Sequence, residues 1–438
     1  MLKQETLGRI DVVGKVFIGI LLVIFGLIIL HAPIVVGLET LWPGYGLLIK
    51  SWKEILLLIA GLLALYLIFK NKKVATFKDP VILVIFGYAV LHMVLTFYNF
   101  QGWDAWGAGL AIDLRYLLFF ALVYIALRLY PNCKKSFIKI GIVGAIIALV
   151  FVLLQVFLLP KDILKYIGYN LDTITPYLTI DENPDFVRIN GTFRGPNPLG
   201  AYAGLVLTLA LAAFAGKKIK KEKWPILISG ILIAGSISAL WASYSRSAQI
   251  GTLVAIFIVL ISNYWRRIPR LAWAAMALTV IVVAGVAFAN RNSYFISNVL
   301  LHENPNGGSM ISSNEGHASS LGDSLGRFAR QPLGGGIGST GSASLLTNRP
   351  VIIENQYLLI AHEVGWLGLA LFIYTYILVM SRLWRSRSDW LALGVFASGV
   401  GLALIGLILP VWVDDTVSII WWGLAAIAIS AKNKDIII

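Results

Sequence analysis

The 438-residue chain holds one cysteine, Cys133, so no disulfide can form within it. Charge is also scarce. Charged residues occupy 13% of positions, about half the share a soluble protein carries. Acidic residues are the rarer sign, 22 against 36 Lys and Arg, which leaves a formal net charge of +14. The histidines are His31, His92, His302, His317 and His362, and none pairs at ligand spacing with a carboxylate on a helix, so no metal site is expected. No Gly-x-Ser-x-Gly elbow occurs, and the glycine run at Pro332–Gly338 has no preceding strand and no following Lys-Ser/Thr. A serine hydrolase and a P-loop nucleotide site are thereby disfavoured, and no cofactor is expected.

What is abundant is apolar sequence. Hydrophobic residues make up 58% of the chain and recur in runs of about 20, the length needed to cross a hydrocarbon core of roughly 30 Å. The fold class expected is all-α: a polytopic helical membrane protein of about 12 transmembrane helices, forming one integral membrane domain over 1–438. The spans are predicted near 16–36, 53–69, 80–98, 109–130, 137–159, 198–216, 225–243, 248–265, 271–289, 356–380, 390–411 and 417–430. The first has no small-residue cleavage site after it and reads as a retained helix. With both termini cytoplasmic, 24 of the 36 basic residues fall in short inner segments, as the positive-inside rule asks. The positive charge therefore reads as orientation signal and contact with membrane lipids, not as a nucleic-acid surface. Cys133, in an inner loop, reads as structural.

Two extracytoplasmic loops are long, 160–197 and 290–355. The first contains an amphipathic piece at 162–167 suited to the membrane interface. In the second, the Gly/Ser/Asn-rich stretch 304–320 reads as a flexible flap. Leu321, Leu325 and Phe328 then share one helical face, which predicts a short interfacial helix ending in the glycine turn.

Polar groups crowd the outer ends of several spans. Arg188 and Arg194 flank an Asn-Gly-Thr-Phe sequence, and Pro196-Asn197-Pro198 follows directly before a long apolar segment. Tyr244 and Arg246 lie in a tight hairpin, and Glu354-Asn355-Gln356-Tyr357 opens another span with Glu363 inside it. A guanidinium at a membrane edge is costly unless it grips something, and the fitting anion is a phosphate or carboxylate. A lipid-phosphate substrate is the natural expectation. Asp113 and Arg115 lie within a span, where buried charges need partners on the same or another helix.

These residues carry a resemblance. Arg188-x-x-Gly-x-Phe-x-x-Pro-Asn-x-Leu-Gly200, Tyr244-Ser-Arg246-Ser-Ala-x-Ile-Gly251, and Asn355-x-Tyr-Leu followed by Glu363-x-Gly-x-x-Gly368 are similar in order and spacing to blocks of the O-antigen ligase/polymerase superfamily of bacterial membrane glycosyltransferases. The glycine turn also resembles the family's. The likeness covers roughly the second half of the chain. It implies a metal-independent, inverting transfer of glycan from an undecaprenyl-pyrophosphate-linked donor to a glycan or lipid acceptor, at the extracytoplasmic face of the bacterial inner membrane. It also implies that Arg188 and Arg246 bind the pyrophosphate. Glu354 stands where the family's ligases carry histidine, which points toward the polymerases, with Glu354 as base or acceptor orienter. Arg194, Asn197, Tyr244, Asn355, Tyr357 and Glu363 are the expected substrate-binding support. The alternatives are a ligase acting on a lipid or protein acceptor, a transporter or flippase for a lipid-linked anionic glycan, and a non-catalytic scaffold.

Overall fold

A computed structural model describes residues 10–216, 226–265, 269–301 and 313–430. Helices occupy all twelve predicted spans. They are α1 (Val12–Leu27) continued by α2 (His31–Leu41), the short α3 (Gly46–Lys50), α4 (Trp52–Lys70), α5 (Pro80–Leu95), α6 (Trp103–Leu129), α7 (Lys134–Phe157), α8 (Pro196–Ala215) and α9 (Ile226–Ala242). There follow α10 (Arg246–Tyr264), α11 (Arg270–Ala289), α12 (Ser313–Arg330), the short α13 (Gly341–Ser344), α14 (Gln356–Arg385), α15 (Trp390–Ile405) and α16 (Asp415–Ile429). Among the described residues seven helical segments are long and apolar enough to cross a membrane, and four shorter apolar helices accompany them. The protein is an all-α polytopic membrane protein.

Local chemistry sets the helix starts. Asp11, Asp79, Asn355, Asp389 and Asp414 each sit at an N-cap and accept a backbone N–H from the first turn. Asp79 also takes Arg382 at 2.8 Å and the Tyr124 hydroxyl at 2.8 Å, tying α5, α6 and α14 at one end of the bundle.

The centre is α16, every residue of which is buried. Trp421 and Trp422 pack edge to face with ring centroids 5.1 Å apart and gather Tyr116, Phe120, Tyr376 and Trp412 around them. Large apolar side chains such as Leu58, Leu62 and Phe86 remain exposed on outward faces, where a bundle meets lipid tails. Small residues allow close crossings: a Cβ at Gly251 of α10 would press on the Gly401 carbonyl of α15 at 2.7 Å. Cys133 is buried, as a structural cysteine would be.

Three features depart from the sequence reading. The loop 160–197 contains an antiparallel hairpin, β1 (Tyr177–Ile180) with β2 (Asn183–Ile189), and its amphipathic piece is a short 3-10 helix, Ile163–Ile167. The helix predicted over 321–330 starts earlier, at Ser313, inside the stretch read as a flexible flap; positions 304–312 of that stretch lie outside the described residues. Helix α14 is broken at Val364 and Gly365, where Gly365 takes φ +71°.

Candidate active site

The site forms at the end of the bundle where α8, α10 and α14 begin. Arg188 lies on β2, opposite Leu178 in the hairpin register. Its Nε donates to the Ser243 carbonyl at 2.8 Å and its Nη2 to Asn197 Oδ1 at 2.6 Å. Asn197 is in the first turn of α8, so the Pro-Asn-Pro sequence both starts that helix and aims the guanidinium.

Ser243, Tyr244 and Ser245 are the whole connection between α9 and α10. Tyr244 closes it with φ +47°, a strained value for an aromatic residue, and its ring packs on Trp241 and Phe186. So tight a turn brings Arg246, at the head of α10, beside the carbonyl that Arg188 holds. Arg246 Nη1 donates to the Leu300 and Leu301 carbonyls, both at 3.1 Å, and Nη2 donates to Asn314 Oδ1 at 2.8 Å.

The acceptors that fix both guanidiniums are neutral. Burial, and then the charge on Arg246, lower the Arg188 pKa to about 10, with Asp181 acting in the opposite direction. An arginine remains charged at neutral pH all the same. The shift therefore registers two cations in a poorly solvated place, against one carboxylate whose field reaches both. Such a place is short of negative charge and suits an anion.

Glu354 is brought into this neighbourhood by a helix. Its Oε2 lies 2.5 Å from Nδ1 of His317 on α12. One turn earlier on α12 is Asn314, the residue that Arg246 holds. Residues three apart share a helix face, so one turn of α12 links the arginine and the carboxylate. His317 escaped the sequence reading. The signal was present: the face defined by Leu321, Leu325 and Phe328 continues backward through His317 to Asn314.

The other expected residues serve elsewhere. Arg194 approaches Asp415 at 3.6 Å, beside a buried cluster in which Asp415 also meets Lys53, Arg115 and His31. Arg115 thus pairs across helices, and Asp113 does the same with His92 at 3.2 Å. Asn355 caps α14 through the Tyr357 and Leu358 N–H groups. The Tyr357 hydroxyl donates to the Ala403 carbonyl at 2.9 Å, fastening α14 to α15.

Glu363 requires a correction as a substrate contact. It is 2% exposed, and its carboxyl oxygens accept the N–H groups of Thr340, at 2.9 Å, and Gly338. The glycine turn does cradle a carboxyl group, but the group is the chain's own. Gly334, Gly336 and Gly338 all have positive φ, and a Cβ at Gly338 would strike the Ala105 carbonyl, so the run is tight turning between α6 and the break in α14. Glu363→Gln sets an amide NH2 against one of those N–H donors. It should cost about 1–3 kcal/mol, read as a lower melting temperature in detergent with anion binding at the arginines intact.

Among the described residues no group of three or more His, Cys, Asp or Glu is placed to hold a metal ion. An apolar groove of about 580 Å³ lies between α10, α14 and α15, lined by residues such as Ile258, Met380, Trp384 and Phe396; it holds no charged side chain and is not the anion site.

Residues 230–373, about a third of the chain, match the family model described as O-antigen ligase. The match contains Arg246, α12, the glycine turn, Glu354 and the break in α14. No curated protein matches the chain.

Proposed function

We propose that the chain is a polysaccharide polymerase of the bacterial inner membrane, a reading supported by the match of residues 230–373 to the O-antigen ligase model of the O-antigen ligase/polymerase superfamily, a group of membrane glycosyltransferases. The donor is an oligosaccharide on undecaprenyl pyrophosphate. The acceptor is a hydroxyl at the non-reducing end of a second lipid-linked unit, and the site faces away from the cytosol. The acceptor oxygen attacks the anomeric carbon from the side opposite the pyrophosphate, so the configuration inverts. As the bond to the pyrophosphate breaks, negative charge grows on the leaving oxygens.

The observation that supports this reading is that Arg188 is held on the Ser243 carbonyl, three residues before Arg246, so that two guanidiniums from distant segments feel each other's charge and are fixed by neutral acceptors at one end of the bundle. Fixed donors aimed at developing charge are worth most where water is excluded. Asn197 and the Ser243 carbonyl hold Arg188 in place, and Glu354 marks the acceptor side.

One observation favours a second reading, transfer to a lipid or protein acceptor by a ligase. The family's ligases carry histidine at the position of Glu354, and here α12 returns an imidazole to it, that of His317.

Purified protein in bilayers with lipid-linked glycan should release undecaprenyl pyrophosphate and build a ladder of repeat lengths on the carrier. Glycan on a new acceptor with no ladder selects the ligase. Donor moved across the bilayer unchanged would overturn both in favour of a transporter.

A further inference from the structure

We propose that His317 is the group that takes the proton from the acceptor hydroxyl, with Glu354 as its positioning partner; the proposal rests on the glycan-transfer reading above. Three observations support it. The first is the contact itself: His317 Nδ1 and Glu354 Oε2 are 2.5 Å apart, and both side chains are partly open, at 29% and 37% exposure. A carboxylate on Nδ1 fixes the proton there and leaves Nε2 as the acceptor. Among the described residues nothing else is hydrogen-bonded to the ring.

The second is placement. Asn314, one turn before His317, is hydrogen-bonded to Arg246. Cβ atoms three residues apart on a helix are about 5–6 Å from each other. The imidazole therefore stands beside the anchor of a guanidinium assigned to the pyrophosphate, where the anomeric carbon has to lie between donor and acceptor. Among the described residues, Glu354 and Arg246 are charged groups that meet this face of α12 from other elements, and Glu315 is in the same turn.

The third is chemical fitness. Histidine is the side chain most often used to take a proton in a transition state, and a carboxylate serves well to orient it. As the partner of an imidazole Glu354 has a clear use, because it stabilises the imidazolium formed when the proton arrives. The step balances. The acceptor O–H proton goes to His317 Nε2, and the oxygen pair forms the new bond to the anomeric carbon. The carbon–oxygen bond to the pyrophosphate breaks with its pair on the leaving oxygen, beside Arg188 and Arg246, and the imidazolium proton returns to water. Nothing is oxidised or reduced.

The test uses the full chain in bilayers with lipid-linked glycan and acceptor. His317→Ala should lower kcat by about 10²–10⁴-fold, the usual worth of a positioned base, with the donor KM unchanged. Free imidazole should restore part of the lost rate in that variant and leave the wild type unaffected. The acid limb of the kcat/KM profile should shift in Glu354→Gln and vanish in His317→Ala. Near-wild-type turnover of His317→Ala would overturn the proposal. So would a loss that imidazole does not rescue and that leaves the acid limb in place, because that is a structural defect. If the wild type transfers glycan and Arg246→Lys does not, while His317→Ala does, the dyad alone falls. A wild type that releases no polyprenyl pyrophosphate overturns both readings.

Discussion

Arg246→Lys is expected to lower release of polyprenyl pyrophosphate by about 10²–10³-fold, the range found when one fixed donor to a developing anion is lost. Expression should be unchanged. Lysine keeps the charge but not the fork. In the native side chain Nη1 spans the Leu300 and Leu301 carbonyls while Nη2 holds Asn314, so the plane of the guanidinium is set by three oxygens from two segments. An ammonium on a flexible stem can satisfy some of these and cannot present two parallel N–H groups to a phosphate. Arg188→Lys should show a loss of similar size for the same reason, since Nε and Nη2 are each committed to a separate acceptor. The double variant should lose much less than the product of the two if, as proposed, both residues act on one leaving group. Near-full turnover in Arg246→Lys would remove the clamp from the mechanism.

The helical bundle was legible because hydrophobic runs of membrane length are a strong signal, and every predicted span is a helix. The hairpin that carries Arg188 was not. Its turn places Asp181 and Glu182 at φ +46° and +61°, the geometry usually announced by Asn-Gly or Asp-Gly, and neither residue announces it. The start of α12 was hidden by composition: Gly, Ser and Asn suggested a flap, although the helical period ran straight through His317. Glu363 was misassigned because its partners, Gly338 and Thr340, are 25 and 23 residues away, and no local pattern reveals a carboxyl group turned back onto a glycine loop. Arg188 and Arg194 lie six residues apart in sequence, one expected on the pyrophosphate and the other in support of it. The turn through Asn190 and Gly191, with φ +57° at Gly191, separates them, and they contact different elements.

The position of Arg194 leads to the largest expected loss of stability, in Asp415→Ala. Asp415 is 2% exposed and takes Lys53 at 2.8 Å, Arg115 at 3.0 Å and His31 at 3.0 Å, so one carboxylate joins α2, α4, α6 and α16. Lys53 and Arg115 are themselves only 3% and 5% exposed. Removing the carboxylate leaves both cations buried, with Glu54 as the carboxylate still within 4 Å of them among the described residues, at 3.2 and 3.6 Å. Breaking a buried network of this kind costs about 3–5 kcal/mol, visible as a large drop in melting temperature in detergent or lipid. Lys53→Met should cost less, because Arg115 keeps its partner. The double variant Lys53→Met with Asp415→Ala should be more stable than the two single losses added together, because it removes one of the stranded charges. Asp415→Ala melting with the wild type would mean that the cluster contributes nothing to the fold. Activity should fall in the same variant without any loss of the arginines. Asp415 lies 3.6 Å from Arg194, and Arg194 lies in the segment joining β2 to α8, so a disturbed cluster reaches the strand that positions Arg188. Suppression of that activity loss at low temperature, where the fold is retained, would separate this indirect effect from a direct role in the chemistry.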